Sequence, residues 1–260
     1  MSAEMEDDDL GRFAAHGAAP LPAAGFEGWL EHDGARLWHA CYGDGPPVIL
    51  LHGGLGHAGN WGYRAVLIDS RGHGRSTRDE RPYSYERMAS DVLAVMDALG
   101  LDRARFVGWS DGACIALVLA SMAPARVESV FFFGCNMDPG GVKAMAPSAV
   151  VDRCFARHRS DYAALSATPD GFEPFVAAVS EMMRTQPDYP AKALAAIDVR
   201  VAIVLGEHDE FIRPEHAAYL ARTIPGATLT ILPGVSHFAP LQRPARFNAA
   251  MLAFLGQTRD

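Results

Sequence analysis

Apolar residues along this chain change period several times, and each change marks the end of one predicted element. From Phe26 the run FEGWLEHDGARLWHACYG alternates about Asp33-Gly34, a dipeptide suited to the positive φ angles of a two-residue hairpin turn, so two antiparallel strands are expected there. Pro47 to Leu51 (PVILL) and Tyr63 to Ser70 (YRAVLIDS) are apolar runs of the kind that parallel strands show when both faces are covered. Met88, Val92, Val95, Met96 and Leu99 then recur at helical spacing and stop at Gly100. Phe106 to Gly108 reads as a short strand that runs into an alanine-rich helix ending near Met122, and Val127 to Phe133 as another strand. Further on, Val199 to Leu205 and Ala227 to Leu232 are strand-like about a helix over Pro214 to Thr223, and a last helix carries Phe247, Met251, Phe254 and Leu255 on one face.

Strands alternating with helices imply an α/β fold: a mostly parallel central sheet with helices on both faces, the opening hairpin adding an antiparallel edge. Residues 138 to about 197 lose the alternation and read as short helices punctuated by Pro147, Pro169, Pro174, Pro187 and Pro190, a small helical lid inserted over the sheet. Residues 1 to 24, acidic and then rich in Ala, Gly and Pro, are expected to be a disordered tail. One domain over residues 25 to 260 suits the length. The crossover between the strands ending at Leu51 and starting at Tyr63 is short, eleven residues (52 to 62). A strand return needs about 17–20 Å. Eleven residues reach about 16 Å as helix and about 36 Å extended, so a full helix with its turns is not expected in it.

Composition narrows the function classes. A net charge of -8 argues against nucleic acid or an anionic membrane as partner. Glu4, Glu6, Asp7, Asp8 and Asp9 crowd the start, so the body is only mildly acidic. There is no run of about twenty apolar residues to span a bilayer and no apolar leader after the acidic start. Cys41, Cys114, Cys135 and Cys154 show neither C-x-x-C nor zinc-like spacing; Cys114 and Cys135 sit in apolar runs, as small core residues of a cytoplasmic protein would. No metal and no organic cofactor is expected.

The candidate chemistry lies at the carboxyl ends of the predicted strands, where reactive groups of open parallel sheets gather. Gly108-Trp109-Ser110-Asp111-Gly112 has the form G-x-S-x-G at a strand-to-helix break, a turn so tight that its serine is held in a strained conformation while the two glycines let strand and helix approach. Two more candidates follow later strands: an acid within Gly206-Glu207-His208-Asp209-Glu210 and a histidine within Gly234-Val235-Ser236-His237-Phe238. A serine hydroxyl is a poor nucleophile at neutral pH, and it needs such a base, itself oriented by a carboxylate.

Taken together, HGG at 52–54, DSRGHGRS at 69–76, GWSDG at 108–112, GEHD at 206–209 and GVSHF at 234–238 resemble the α/β-hydrolase fold family, from about Phe26 to the last helix. The resemblance implies Ser110 as nucleophile, His237 as base and, among the acids 207, 209 and 210, Asp209 as the orienting carboxylate. It implies an oxyanion hole from the N–H groups of Asp111 and Gly54, with Leu55 as the alternate. His52, Asp69, Arg71 and His73 match scaffold turns of the family. Leu55, Trp109, Met137 and Phe238 are the expected substrate-binding residues, with Trp61 a further candidate. The expected activity is hydrolysis of a small carboxylic ester or lactone through an acyl-enzyme. Carbon–carbon bond hydrolysis, perhydrolysis and a ligand-binding relative with an impaired oxyanion hole stay open. The expected partner is the small-molecule substrate, with room for a homodimer.

Overall fold

In a computed structural model the chain is described over residues 9–57 and 65–256. Its elements are α1 (Leu10–His16), β1 (Phe26–His32), β2 (Ala35–Cys41), β3 (Val48–Leu51), β4 (Val66–Ile68), α2 (Tyr85–Ala98), β5 (Ala104–Trp109), α3 (Asp111–Met122), β6 (Val127–Phe133), α4 (Ala149–Leu165), α5 (Phe172–Thr185), α6 (Ala191–Leu194), β7 (Arg200–His208), α7 (Pro214–Thr223), β8 (Thr228–Ser236), α8 (Ala239–Gln242) and α9 (Pro244–Leu255). The eight strands form one sheet in the order β1-β2-β4-β3-β5-β6-β7-β8. β1 pairs with β2 and β2 with β4 antiparallel; every later pairing is parallel. The hairpin turns at Asp33 and Gly34, both with positive φ (43° and 77°), as its sequence requires.

Alternate side chains of the central strands feed two apolar layers. Ile49, Leu51, Phe106, Val130, Phe132, Val201 and Ile203 face one side, where α2 and the wholly buried middle of α3 pack. Leu50, Val107, Phe131, Phe133, Ala202 and Val204 face the other, against Phe247, Met251 and Phe254 of α9. The sheet is thus covered on both faces, and β3 and the inner stretches of β5, β6 and β7 (106–109, 130–133 and 201–205) carry no charged residue for that reason. β5 lies at the centre, so its carboxyl end opens at the middle of the sheet.

Residues 10–16 depart from the expected disordered tail. They form α1, because Leu10 and Phe13, three apart and therefore on one helix face, find a buried apolar seat in the layer that includes Val150, Val151 and Cys154 of α4. Two apolar residues in an Ala- and Gly-rich stretch are too few to show periodicity, which is why the sequence reads as a tail. Among the described residues, the strand expected over Tyr63 to Ser70 spans Val66–Ile68. Residues 58–64, and with them Trp61 and most of the short crossover, lie outside the described residues. Among the described residues no helix is long and apolar enough to cross a membrane.

Candidate active site

Ser110 sits between β5 and α3 with φ 53° and ψ −126°, a region that a residue with a side chain enters only when the fold imposes it. Gly112 and Gly108 allow the imposition. A Cβ on Gly112 would strike the backbone of Leu51, and one on Gly108 the backbone of Gly112 and Ala113. The strain itself is testable. Ser110→Gly is expected to stabilise the fold by about 1 kcal/mol, raising the thermal midpoint by about 2–4 °C, because glycine occupies this region without penalty; a scanning-calorimetry midpoint that stays put or falls would show that the turn stores no strain.

Asp209 and His237 arrive from neighbouring strands, β7 and β8, and meet. His237 Nδ1 lies 2.9 Å from Asp209 Oδ2, with both residues buried. The other carboxylate oxygen, Oδ1, accepts the N–H groups of Phe211 (2.9 Å) and Ile212 (2.8 Å), which fixes the carboxylate plane. Burial alone would push the His237 pKa down, but attraction to and the hydrogen bond with Asp209, with help from Glu210 and Asp111, raise it above its ordinary value. Burial likewise opposes ionisation of Asp209, and the attraction of His237 outweighs it, so the carboxyl titrates below its usual range.

The three acids of the β7 turn hold different atoms. Glu207 accepts the N–H of Gly234 at 2.8 Å, and Glu210 accepts the N–H of His237 at 3.0 Å; only Asp209 reaches the imidazole. Trp109 adds a further clamp, its indole N–H donating to the His237 carbonyl at 2.8 Å. The histidine loop is therefore tied at several points.

Ser110, Asp111, His237, Gly53, Gly54, Leu55, Trp109 and Phe238 line one cavity of about 400 Å³, whose remaining wall is mostly apolar: Met145 and Phe155 before and on the insertion helices, Val179 and Met183 on α5, and Phe211 and Ile212 after β7. Segment 138–197 thus forms much of the wall over the strand ends. As the first residue of α3, Asp111 has an N–H without an intrahelical acceptor. In the facing loop, Gly56 N–H donates to the Gly53 carbonyl (3.0 Å) and Leu55 takes a positive φ of 64°. His52 holds that loop from beneath: its Nδ1 donates to the Gly53 carbonyl (2.8 Å) while Nε2 accepts the Ser70 N–H (3.0 Å). Both contacts suit the neutral ring that its burial favours.

Of the expected substrate-binding residues, Leu55, Trp109 and Phe238 border the cavity and Met137 does not. Met137 is wholly buried in the core layer, its N–H donating to His216 Nε2 and its carbonyl accepting from Tyr189. It stands four residues past the end of β6, far enough for the chain to turn away from the opening. Asp69, Arg71 and His73 are bound into scaffold contacts. Arg75 donates to Asp69 at 2.9 Å, Arg71 bridges Asp91 through two hydrogen bonds (2.7 and 2.5 Å), and His73 Nδ1 bonds the Arg71 carbonyl (2.9 Å). Sequence reading missed Tyr85, Cys135, Asn136, His158 and Met183 as cavity residues; none lies in a motif, and the topology alone brings them there. Among the described residues no group of three or more His, Cys, Asp or Glu is placed to hold a metal ion.

Comparison with known proteins gives a consistent picture. A model of the alpha/beta hydrolase family matches residues 48–250. A dihydrolipoyllysine-residue acetyltransferase component of an acetoin cleaving system, from Cupriavidus necator, is 28% identical, over 98% of this chain and 77% of that protein. A pimeloyl-[acyl-carrier protein] methyl ester esterase from Nitrosospira multiformis is also 28% identical, over 84% of this chain and 97% of its own. Among solved structures, Est816, described as an N-acyl homoserine lactone degrading enzyme, superposes with a TM-score of 0.67 at 29% identity, over 87% of this chain and all of its own.

Proposed function

The chain belongs to the alpha/beta hydrolase family, and we propose that within it this protein is a serine hydrolase cleaving a small carboxylic ester or lactone. The observation that carries this reading is the buried His237–Asp209 pair opening on the same cavity as Ser110, which stands on a strained turn at the carboxyl end of the central strand. The similarity to an ester hydrolase and to a lactone-degrading enzyme supports the substrate class.

Ser110 Oγ attacks the carbonyl carbon as His237 takes its proton at Nε2, the ring nitrogen not engaged by Asp209. Asp209 fixes the tautomer and stabilises the imidazolium that forms. The developing oxyanion is held by the N–H groups of Asp111 and Gly54, the first strengthened by the positive end of α3. The tetrahedral adduct collapses, the alcohol leaves with the proton from His237, and a water activated by the same base releases the acid. In a lactone the leaving alcohol remains tethered to the acyl group.

The raised His237 pKa sets the sign of the pH dependence. The base is lost by protonation, so the acidic limb of kcat/KM is expected above pH 6.5, with activity falling as pH drops through it. Glu210→Gln removes one of the charges that favour the imidazolium, and its limb is expected at lower pH than that of the parent, with KM little changed. A limb that does not move would mean that Glu210 only ties the loop.

The substrate class is tested by a panel of p-nitrophenyl acetate and butyrate, small lactones and a vinylogous diketone. The expected result is turnover of esters or lactones. Cleavage of the diketone alone would replace this reading by carbon–carbon hydrolysis, and no turnover by folded protein would point to a binding relative.

A further inference from the structure

Asp111 brings more to the cavity than its N–H. The residue is only 4% exposed, its Oδ1 accepts the Tyr85 hydroxyl at 2.7 Å, and its Oδ2 is buried with no hydrogen-bond partner among the described residues. The other buried aspartates among them are all matched by a basic group: Asp69 by Arg75, Asp91 by Arg71, Asp161 by Arg157 and His57, and Asp209 by His237. Asp111 has a tyrosine hydroxyl, one donor for a group that can take about four.

The unmatched oxygen lies in the cavity wall. A Cβ placed on Gly54 would come within 2.6 Å of Oδ2 and would collide with the Met183 methyl, so Oδ2 sits against the loop opposite Ser110 and under the end of Met183. Both flanking residues line the cavity, and Asp111 follows Ser110 directly in the chain. Met183 reaches over from α5 on a flexible, half-buried side chain that can turn aside. Burial lifts the Asp111 carboxyl, against the Tyr85 bond and the attraction of His237, to about 6. At neutral pH it is therefore mostly ionised. No Arg or Lys lines the cavity, and burial holds His158 to about 4, leaving that ring uncharged. The remaining basic side chain of the cavity, His237, attracts Asp111 but is hydrogen-bonded to Asp209 and makes no hydrogen bond to Oδ2. A buried carboxylate oxygen without a bonded cation is costly to maintain, and the group that satisfies it best is a positive one.

We propose that the Asp111 carboxylate is a specificity site for a protonated amine carried by the substrate within a few bonds of the scissile carbonyl, the ammonium pairing with Oδ2 in the place that Met183 now covers. This rests on the reading of Ser110 as nucleophile, because that reading puts the carbonyl beside Asp111. The apolar remainder of the cavity then accepts the hydrocarbon parts of the same molecule.

The test is binding to the Ser110→Ala protein at pH 7, followed by calorimetry, so that no hydrolysis is needed. The probes are benzyl 2-aminobutanoate and benzyl 3-aminobutanoate, each against its neutral isostere, benzyl 2-methylbutanoate and benzyl 3-methylbutanoate. At least one ammonium ester is expected to bind ten-fold or more tightly than its neutral isostere. Adding Asp111→Asn should level the ratio; so should Met183→Lys, which leaves Asp111 intact and supplies a cation from α5. Equal affinities for charged and neutral esters, or a preference that survives both substitutions, would overturn the proposal. Its failure is separable from failure of the hydrolase reading, which is judged by turnover and by covalent labelling of Ser110 in the parent protein.

Discussion

Replacing Ser110 by alanine is expected to lower kcat/KM for p-nitrophenyl butyrate by roughly 10⁴-fold or more, since removing the nucleophile of such a unit leaves only the binding and oxyanion contributions. The effect should be confined to chemistry. Alanine carries a Cβ like serine and must adopt the same positive φ at this turn, so the thermal midpoint should stay within about 1–2 °C of the parent. That combination separates loss of a reacting group from loss of structure. Steady-state kinetics and thermal unfolding on the same preparation check it, and residual turnover within a hundred-fold of the parent would mean that the hydroxyl is not the attacking group.

The largest stability effect is expected at Gly112→Ala, a loss of about 4 kcal/mol or more, in the range reserved for substitutions with no local relief. Gly112 stands on the first turn of α3, against the end of β3. A methyl there would strike the carbonyl carbon and oxygen of Leu51 and lie 2.7 Å from the carbonyl oxygen of His52. All three are backbone atoms, those of Leu51 in a strand paired on both sides, with β4 and with β5, and that of His52 in the residue just after it, and no rotamer change can move them. Either α3 lifts off the sheet, opening its wholly buried face, or the loop carrying Gly53 and Gly54 shifts. Gly45→Ala is the matched control, since nothing lies within 4 Å of a Cβ there, and it should change stability by no more than about 0.5 kcal/mol. Chemical denaturation of both variants is the check, and a Gly112→Ala protein as stable as the control would mean that helix and strand are not packed this closely.

The parts of the fold that were legible in the sequence are those whose signal is local. The hairpin was written in Asp33-Gly34, the start of α7 in Pro214, and the central strands in runs such as PVILL that only a doubly covered strand tolerates. The candidate site was legible only as far as position goes: Ser110, Asp209 and His237 each follow a strand, and strand ends of a parallel sheet share one edge. The sequence was silent where the outcome depends on distant packing. α1 exists because α4 offers Leu10 and Phe13 a seat, which no property of residues 1–24 announces. Met137 was expected among the substrate-binding residues, but the chain turns inward past β6 and buries it. Asp111 was noticed for its N–H because the motif names that atom. Its side chain became significant only once Tyr85, Gly54 and Met183, from three separate segments, were seen around it.

The central claim is that the Asp209–His237 pair makes Ser110 nucleophilic in the folded protein, and covalent labelling tests it most directly. Folded protein treated with a fluorophosphonate probe and digested for mass spectrometry should carry the probe on Ser110, and His237→Ala protein treated in the same way should not. Folded parent protein that leaves Ser110 unmodified, or labels as readily without His237, would contradict the account.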